Sequence, residues 1–502
     1  MKSAKQMCVG ALAISALLAI PIGMAAQDNA GQNQKPRHHT YNLIDLGTFG
    51  GPNSGLSGPG VKTLTNRGAF VGAADTSVPN PNSQIGNPYF TGQNIFVEHA
   101  FRWHDGVKID LGALPGVNNS YTNFIDESGL IVGISENGRI DPLTGLQQVD
   151  GILWKNDQIT DLGTLGGNQT LPVGVNHRGR VAGFAQNSTP DAFPIIGPGM
   201  TTQTRAFLWE NGVMRDLGTL GGPDAAAFAV NERGQITGTA YTNSIANPTT
   251  GIPTMDPFLW EEGKMLDLGT LGGTLGYPNT LNNRGQVVGQ SNLAGDGVSH
   301  PFLWDQREGL KDLGTLGGEN GVAWWINEKG AVVGTADLPG SQHYHAFLWE
   351  HGVMTDLGVP VGEECSVAYG INSERQVVGE STGPCNGNGE VWLWENGGPP
   401  VNLDTLILHA SNLYMFDAWY INDRGEIPGT AYDADTGEIH AVLLVPQGDC
   451  DANCEAGIAA SQRDEATTVR ARPPASSMLR NKRTESTRAN DQAHDRSLAV
   501  RP

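Results

Sequence analysis

The chain has 502 residues, a net charge of -21 and only 17% charged residues, with 68 glycines. An acidic surface opposes binding to nucleic acid or anionic membranes, because phosphates need Lys and Arg to replace their counterions, and no nucleic-acid partner is expected. Abundant Gly with few charges favours many tight turns over long surface helices.

The first element in chain order is an export signal, residues 1–26. Lys2 and Lys5 form a short basic start, residues 7–24 are apolar, and Ala25 and Ala26 are small. That order is the pattern of a cleaved secretory peptide, with cleavage after Ala26. Cys8 precedes the apolar run and is badly placed for lipid attachment. No second apolar run approaches the ~18 residues of a membrane span. The mature protein is therefore expected to be secreted, extracellular or periplasmic, and monomeric. Residues 27–40 read as a polar lead-in.

Residues 41–446 contain three anchors that recur in fixed order through eight units, the first of them in seven copies. The first is DLGTLGG, complete at 161–167, 216–222, 267–273 and 312–318, with variants at 45–51, 110–116 and 356–362. The second is Asn-x-x-Gly followed by a further Gly, as in VNERGQITG from Val230. The third is an apolar run ending in Trp, such as FLW at 347–349, which decays to VLL at 442–444. Each repeat reads as four short strands, a to d. Strand a precedes the Asn-x-x-Gly turn, b follows it, c holds the aromatic run and d ends in DLG. Strands a and c are apolar on consecutive residues, as in sheets buried on both faces. No sustained 3.6-residue period is present, so almost no helix is expected.

The chain opens with an unpaired strand d and closes with a strand c. The predicted fold is all-β: a closed β-propeller of about eight four-stranded blades, with the N-terminal strand completing the last blade. The repeated Asp of DLG is assigned to the backbone N–H groups of its own Gly turn. The repeated Trp is assigned to the core between blades.

In a four-strand meander the b–c loops and d–a turns share one edge. The b–c loops are uneven. The separation is 29 residues from Gly72 to Phe101, 19 from Gly133 to Ile152, 24 from Gly183 to Phe207 and 20 from Gly238 to Phe258, against 13 in each later unit. Raised loops on a rigid scaffold are where binding residues concentrate. Tyr89, Phe90, Phe96, Phe193 and Tyr241, set among Asn and Gln, are the candidate ligand-face residues. Aromatics beside amides point to a polysaccharide or a protein ligand.

Several chemistry-like patterns have plainer explanations. Gly379-Glu380-Ser381-Thr382-Gly383 matches G-x-S-x-G but lacks the strand–turn–helix context of a nucleophile elbow. Asp433, Asp435 and Glu438 form an incomplete calcium loop, better read as a hairpin tip. No cofactor is expected, with calcium as the alternative there. His99, His300, His345 and His440 recur by repeat inheritance, and only His343 and His345 are close enough to share a metal. A propeller enzyme acting on glycans is the rival function, with Glu98, Asp141 and Asp256 as non-repeated acids; a purely structural envelope protein is a third reading.

Four Cys follow the signal. Cys365 and Cys385 flank a folded-back strand pair and are expected to pair; Cys450 and Cys454, in an exit segment at 447–458, form the second expected pair. Residues 459–502 lose every repeat feature and read as a disordered tail.

The elements His99-Ala100-Phe101 and His345-Ala346-Phe347, with LWxxG and DLGTLGG, resemble the signature of the HAF-repeat extracellular bacterial proteins. The likeness covers roughly 41–445. It departs at Arg205-Ala206-Phe207, at Ser299-His300-Pro301-Phe302 and in the eighth copy. The resemblance implies export and a repeat fold, and assigns no reaction and no catalytic residue. The glycine doublets and four-strand repeat are similar, more weakly, to kelch-type propellers.

Overall fold

The computed structural model describes residues 38–85, 95–116, 118–196, 201–385, 389–409 and 411–450. The expected signal and its cleavage site at Ala26, the tail, Tyr89, Phe90 and Cys454 lie outside them.

The protein is all-β. Unit 6 illustrates the plan: strands Gly321–Ile326, Val332–Asp337, Tyr344–Glu350 and Val353–Gly358 form one antiparallel meander. Six four-stranded sheets repeat this order, and a seventh sheet of eight strands joins units 4 and 5 through the parallel pairing of Met255 with Leu275. Among the described residues the helical content is one 3-10 turn, Leu403–Leu406.

Unit 8 draws three strands from the C-terminal end, Leu413–Asp417, Ile427–Asp433 and Ile439–Cys450. Its fourth is the N-terminal His38–Asp45, paired from Asp45–Val442 out to His38–Cys450. The expected completion of the last unit by the first strand is present. Both strands run past the expected limits of 41 and 446, because each extension supplies the other's backbone partners.

Close approach explains the glycine of strand b. In all units it pairs with the first residue of the aromatic run, as in Gly334–Phe347 and Gly379–Trp392. Strand a shifts register opposite it, at Ala323/Trp325 and Ala368/Gly370. A Cβ on Gly334 would lie 2.0 Å from the Val322 carbonyl oxygen and 2.9 Å from the Phe347 ring. Any side chain there would have to move a strand.

The core lies between units as much as within them. Phe101, Phe207, Phe258, Phe302 and Phe347 are all 0% exposed. Each fully buried ring contributes about 1.5–3 kcal/mol relative to exposure. Trp349 packs with Val288, Leu303 and Leu313 of the preceding unit, so the repeated Trp fills the inter-unit core. Units 8 and 1 meet in the same way, through Ala441 and Leu443 against Leu64, Phe70 and Phe101.

Candidate functional site

The a–b turns bind seven of the eight junctions between units, and at the junction of units 2 and 3 Asn123 of strand a donates to the Pro172 carbonyl at 2.9 Å instead. Within its own turn, the Asn231 Oδ1 accepts the Arg233 and Gln235 N–H groups at 3.0 Å each. Its Nδ2 then donates to the Asn282 carbonyl of unit 5 at 3.0 Å. The same inter-unit bond runs from Asn176 to Asn231, Asn282 to Asn327, Asn327 to Asn372 and Asn372 to Asn422, and Asn422 donates to Thr65 of unit 1 at 3.0 Å. Units 1 and 2 carry Thr65 and Asp126 instead of this Asn. There the Ile125 N–H donates to the Lys62 carbonyl at 3.0 Å and Lys62 pairs with Glu127.

The residue after the Asn makes a second chain of bonds. Backbone N–H groups of Asn66, His177, Glu232, Asn283, Ser373 and Asp423 donate to side-chain oxygens of Glu127, Glu232, Asn283, Glu328, Asp423 and Asn66. Burial raises the Asp423 carboxyl, but hydrogen bonds from Ser373 and Asn66 and the charge of Lys62 outweigh it and hold the pKa below the usual range. The group is thus an ionised acceptor.

These turns and the ends of strands a enclose one cavity of about 270 Å³. Its aromatic wall is Phe124, Phe228, Trp325 and Tyr420, from units 2, 4, 6 and 8. Units 1, 3, 5 and 7 add Lys62, Val173, Leu281 and Ile371. The Trp325 and Tyr420 rings stand edge to face, 5.6 Å apart. Around them sit the acceptors Glu127, Glu232, Glu328 and Asp423 with Asn66 and Asn283. Apolar rings bordered by fixed acceptors combine a stacking surface with hydrogen-bonding groups in one pocket.

The sequence pointed to the other edge. Of its ligand-face residues, Phe96 starts strand c of unit 1 opposite Pro79 and Phe193 lies in the unit 3 loop, both half-buried. Tyr241 corrects the expectation. It is 1% exposed and ends strand b of unit 4, beneath the Gly221–Gly222 turn, whose Gly222 N–H donates to its carbonyl at 2.8 Å. A ring under that turn offers no face to a ligand.

All seven DLG aspartates accept the N–H of their own glycine, at 2.7–2.8 Å, from Gly47–Asp45 to Gly358–Asp356. The repeated histidines pair with these acids: His99 with Asp110, His300 with Asp312, His345 with Asp356 and His440 with Asp45, each at 2.9 Å. His345 is thereby engaged away from His343. Cys365 and Cys385 form the expected disulfide. His343, Glu364 and Cys385 lie within 4.8 Å of one another, but the Cys385 sulfur is in that disulfide, which leaves two exposed ligands. The Cys450–Cys454 pairing falls outside the described residues.

The acids of the enzyme reading sit in separate settings. Asp141, 2% exposed, accepts the Leu143 N–H and the Asn168 amide at its hairpin tip. Burial and then Asp267 push the Asp256 carboxyl up to about 7. Glu98 lies beside Tyr121, whose hydroxyl is pushed well above its ordinary value by burial and by Glu98, Glu136 and Asp75. A phenol held protonated in that way is no nucleophile. Ser381 is 1% exposed inside strand Val377–Thr382, which removes the G-x-S-x-G reading.

No protein-family model matches the chain, and no curated protein matches it. Among solved structures it is similar to a Porphyromonas gingivalis dipeptidyl peptidase 4, at 10% identity and TM-score 0.45 over 77% of this chain and 60% of that one. It is similar to a Trypanosoma rangeli sialidase, at 10% identity and TM-score 0.30 over 86% and 62%. An ulvan lyase gives 9% identity and TM-score 0.34 over 81% and 96%. The chain spans about three fifths of the length of the first two. At such scores none of these similarities bears on activity or ligand.

Proposed function

We propose that the protein is an exported binding module of HAF-repeat type. Its eight units close into an eight-bladed propeller, and the cavity at the a–b turns takes a sugar ring of a neutral polysaccharide. The observation that carries this reading is that every unit contributes to the one aromatic-walled cavity. Closure is supported by the Asn422 bond to Thr65, which links the last unit to the first. Sugar C–H faces stack on Phe124, Phe228, Trp325 or Tyr420, and sugar hydroxyls donate to the surrounding carboxylates and amides. The cavity volume lies at the small end of ligand pockets, which run from about 300 Å³. That suits one ring or chain end rather than a long stretch of polymer. The net charge of -21 disfavours a polyanion. The Cys365–Cys385 disulfide fits an oxidising compartment.

The test is a glycan panel probed with the purified mature chain, its N-terminus first read to check that it begins at Gln27. A specific hit is expected, lost in Trp325→Leu and Tyr420→Leu and kept when residues 86–94 and 141–145 are trimmed. Binding lost on trimming and kept in both substitutions would move the site to the loop edge and overturn the reading. So would the absence of any hit.

A further inference from the structure

At the b–c edge, the residue that opens strand a holds strand c of the unit before it. Asn53 accepts the Ile439 N–H at 3.3 Å, Asn119 the Glu98 N–H at 2.9 Å, Gln169 the Val149 N–H at 3.0 Å and Asn320 the Ser299 N–H at 3.1 Å. Each is an amide, and its NH2 group has its own acceptor. Asn53 donates to Asp75 at 3.0 Å, Asn119 to Glu136 at 3.0 Å and Asn320 to Asp337 at 3.2 Å. Amide to carboxylate is the pattern in three of these four; Gln169 donates instead to the Gln147 carbonyl at 3.2 Å.

Unit 4 breaks it with Asp224. This residue is 0% exposed. Its Oδ1 accepts the Thr204 N–H at 3.1 Å, as the amides do, and its Oδ2 accepts the Ile195 N–H at 3.2 Å. Its side-chain partner is another acid, Asp191. Asp191 Oδ1 accepts the Phe193 N–H at 3.0 Å, and its Oδ2 is buried with no partner beyond Asp224. Asp224 is buried and Asp191 is half-buried with its Oδ2 shut off from solvent, so ionising both would set two like charges against each other where little water reaches.

Nearby charges do not relieve it. Arg205, on strand c, is committed to Asp216 at 2.9 Å and to the Pro223 carbonyl at 3.0 Å. Strand b brings Tyr241, which is buried and offers no cation. A proton is what remains to do the work of the missing NH2.

We propose that Asp191 and Asp224 share one proton, that this proton fastens segment 191–196 to unit 4, and that raising the pH releases the segment. Ile195 and Ile196 pack on the cluster of Tyr121, Phe184 and Ala226, as do Val173 and Phe228 of the cavity wall. The fastening therefore bears on the floor of the cavity, but it stands whether or not a glycan binds there. Burial and then Asp191 push the Asp224 carboxyl up to about 8. The released acid titrates near its ordinary value of about 4. A raised value in the docked state means docking is strongest below about pH 4 and weakens up to tenfold per pH unit until about pH 8, then levels.

The test is hydrogen exchange on the full mature chain, reading the Ile195 amide from about pH 5 to about pH 9. Comparison with Asp191→Asn at each pH removes the intrinsic rate change. The amide that this substitution introduces would donate to an ionised Asp224 and leave Asp224 Oδ2 to accept the Ile195 N–H, so docking in the variant is independent of pH. The expected result is a ratio of wild-type to variant protection that falls at least tenfold across the range. Asp191→Ser, whose hydroxyl donates to an ionised Asp224, serves if that variant does not fold. A ratio unchanged with pH against either variant would overturn the proposal.

Discussion

At the a–b edge, eight short turns, most of them bonded to the next, surround a cavity to which every unit contributes. At the b–c edge, units 1 to 4 carry long connections of unlike sequence; among the described residues Asp141 caps one tip, and Asn247 accepts the Thr249 N–H at 2.7 Å in another. Those two tips spend polar groups on their own backbone. The short turns spend theirs on the next unit. Repetition, rather than elaboration, builds the shared site, and the stability of the assembly should be concentrated on the same edge.

Perturbing the two edges should therefore have unequal costs. Asn231→Ala at the a–b edge strips partners from the buried Gln235 N–H and the Asn282 carbonyl, and should cost about 3–4 kcal/mol in denaturant unfolding. A cost no greater than at the hairpin tips would erase the distinction. Removing the Cys365–Cys385 disulfide, which spans 20 residues, should cost about 3 kcal/mol, seen as a lower Tm under non-reducing conditions.

His440→Ala should cost less than about 1 kcal/mol, because the Asp45 partner is solvent-screened. Its size depends on pH. The hydrogen bond to Asp45 raises the His440 pKa against the effect of burial. The Asp45 pKa is lowered: burial opposes this, but the bonds from His440 and Gly47 prevail. The His440 part is full below about 6.5 and lost as pH rises through its folded value; the Asp45 part is present above about 4 and lost as pH falls. The penalty should thus be greatest between those limits and shrink on either side. Last, replacing Asn247–Gly251 by a shorter turn should change stability within about 0.5 kcal/mol.

Much of this was readable from residue spacing. Seven recurrences of Asp before a glycine turn left little room for catalysis, and each Asp does accept its glycine N–H. The Cys pair followed from the folding back of strands a and b around the turn at Asn372. The orphan strands at the two ends foretold the pairing of His38–Asp45 with Ile439–Cys450.

The site was not legible, for a physical reason. Asn-x-x-Gly announces a turn within one unit, but the Asn side chain has a second donor, and its acceptor lies about 50 residues away in the next repeat. Phe124, Phe228, Trp325 and Tyr420 each sit in an apolar strand a that reads as ordinary packing. Only the convergence of all eight strands a turns them into one wall. Tyr241 misled in the opposite way. Its place before a long loop resembled a rim, but the pairing with Met255 keeps it inside the sheet.

The most direct test of the shared cavity is an experimental structure of the protein with a glycan captured from the panel. The account predicts sugar density between the rings of Phe124, Phe228, Trp325 and Tyr420, with hydroxyls on the surrounding carboxylates. Density lying over the b–c hairpins of units 1 to 4, with none in the cavity, would contradict it.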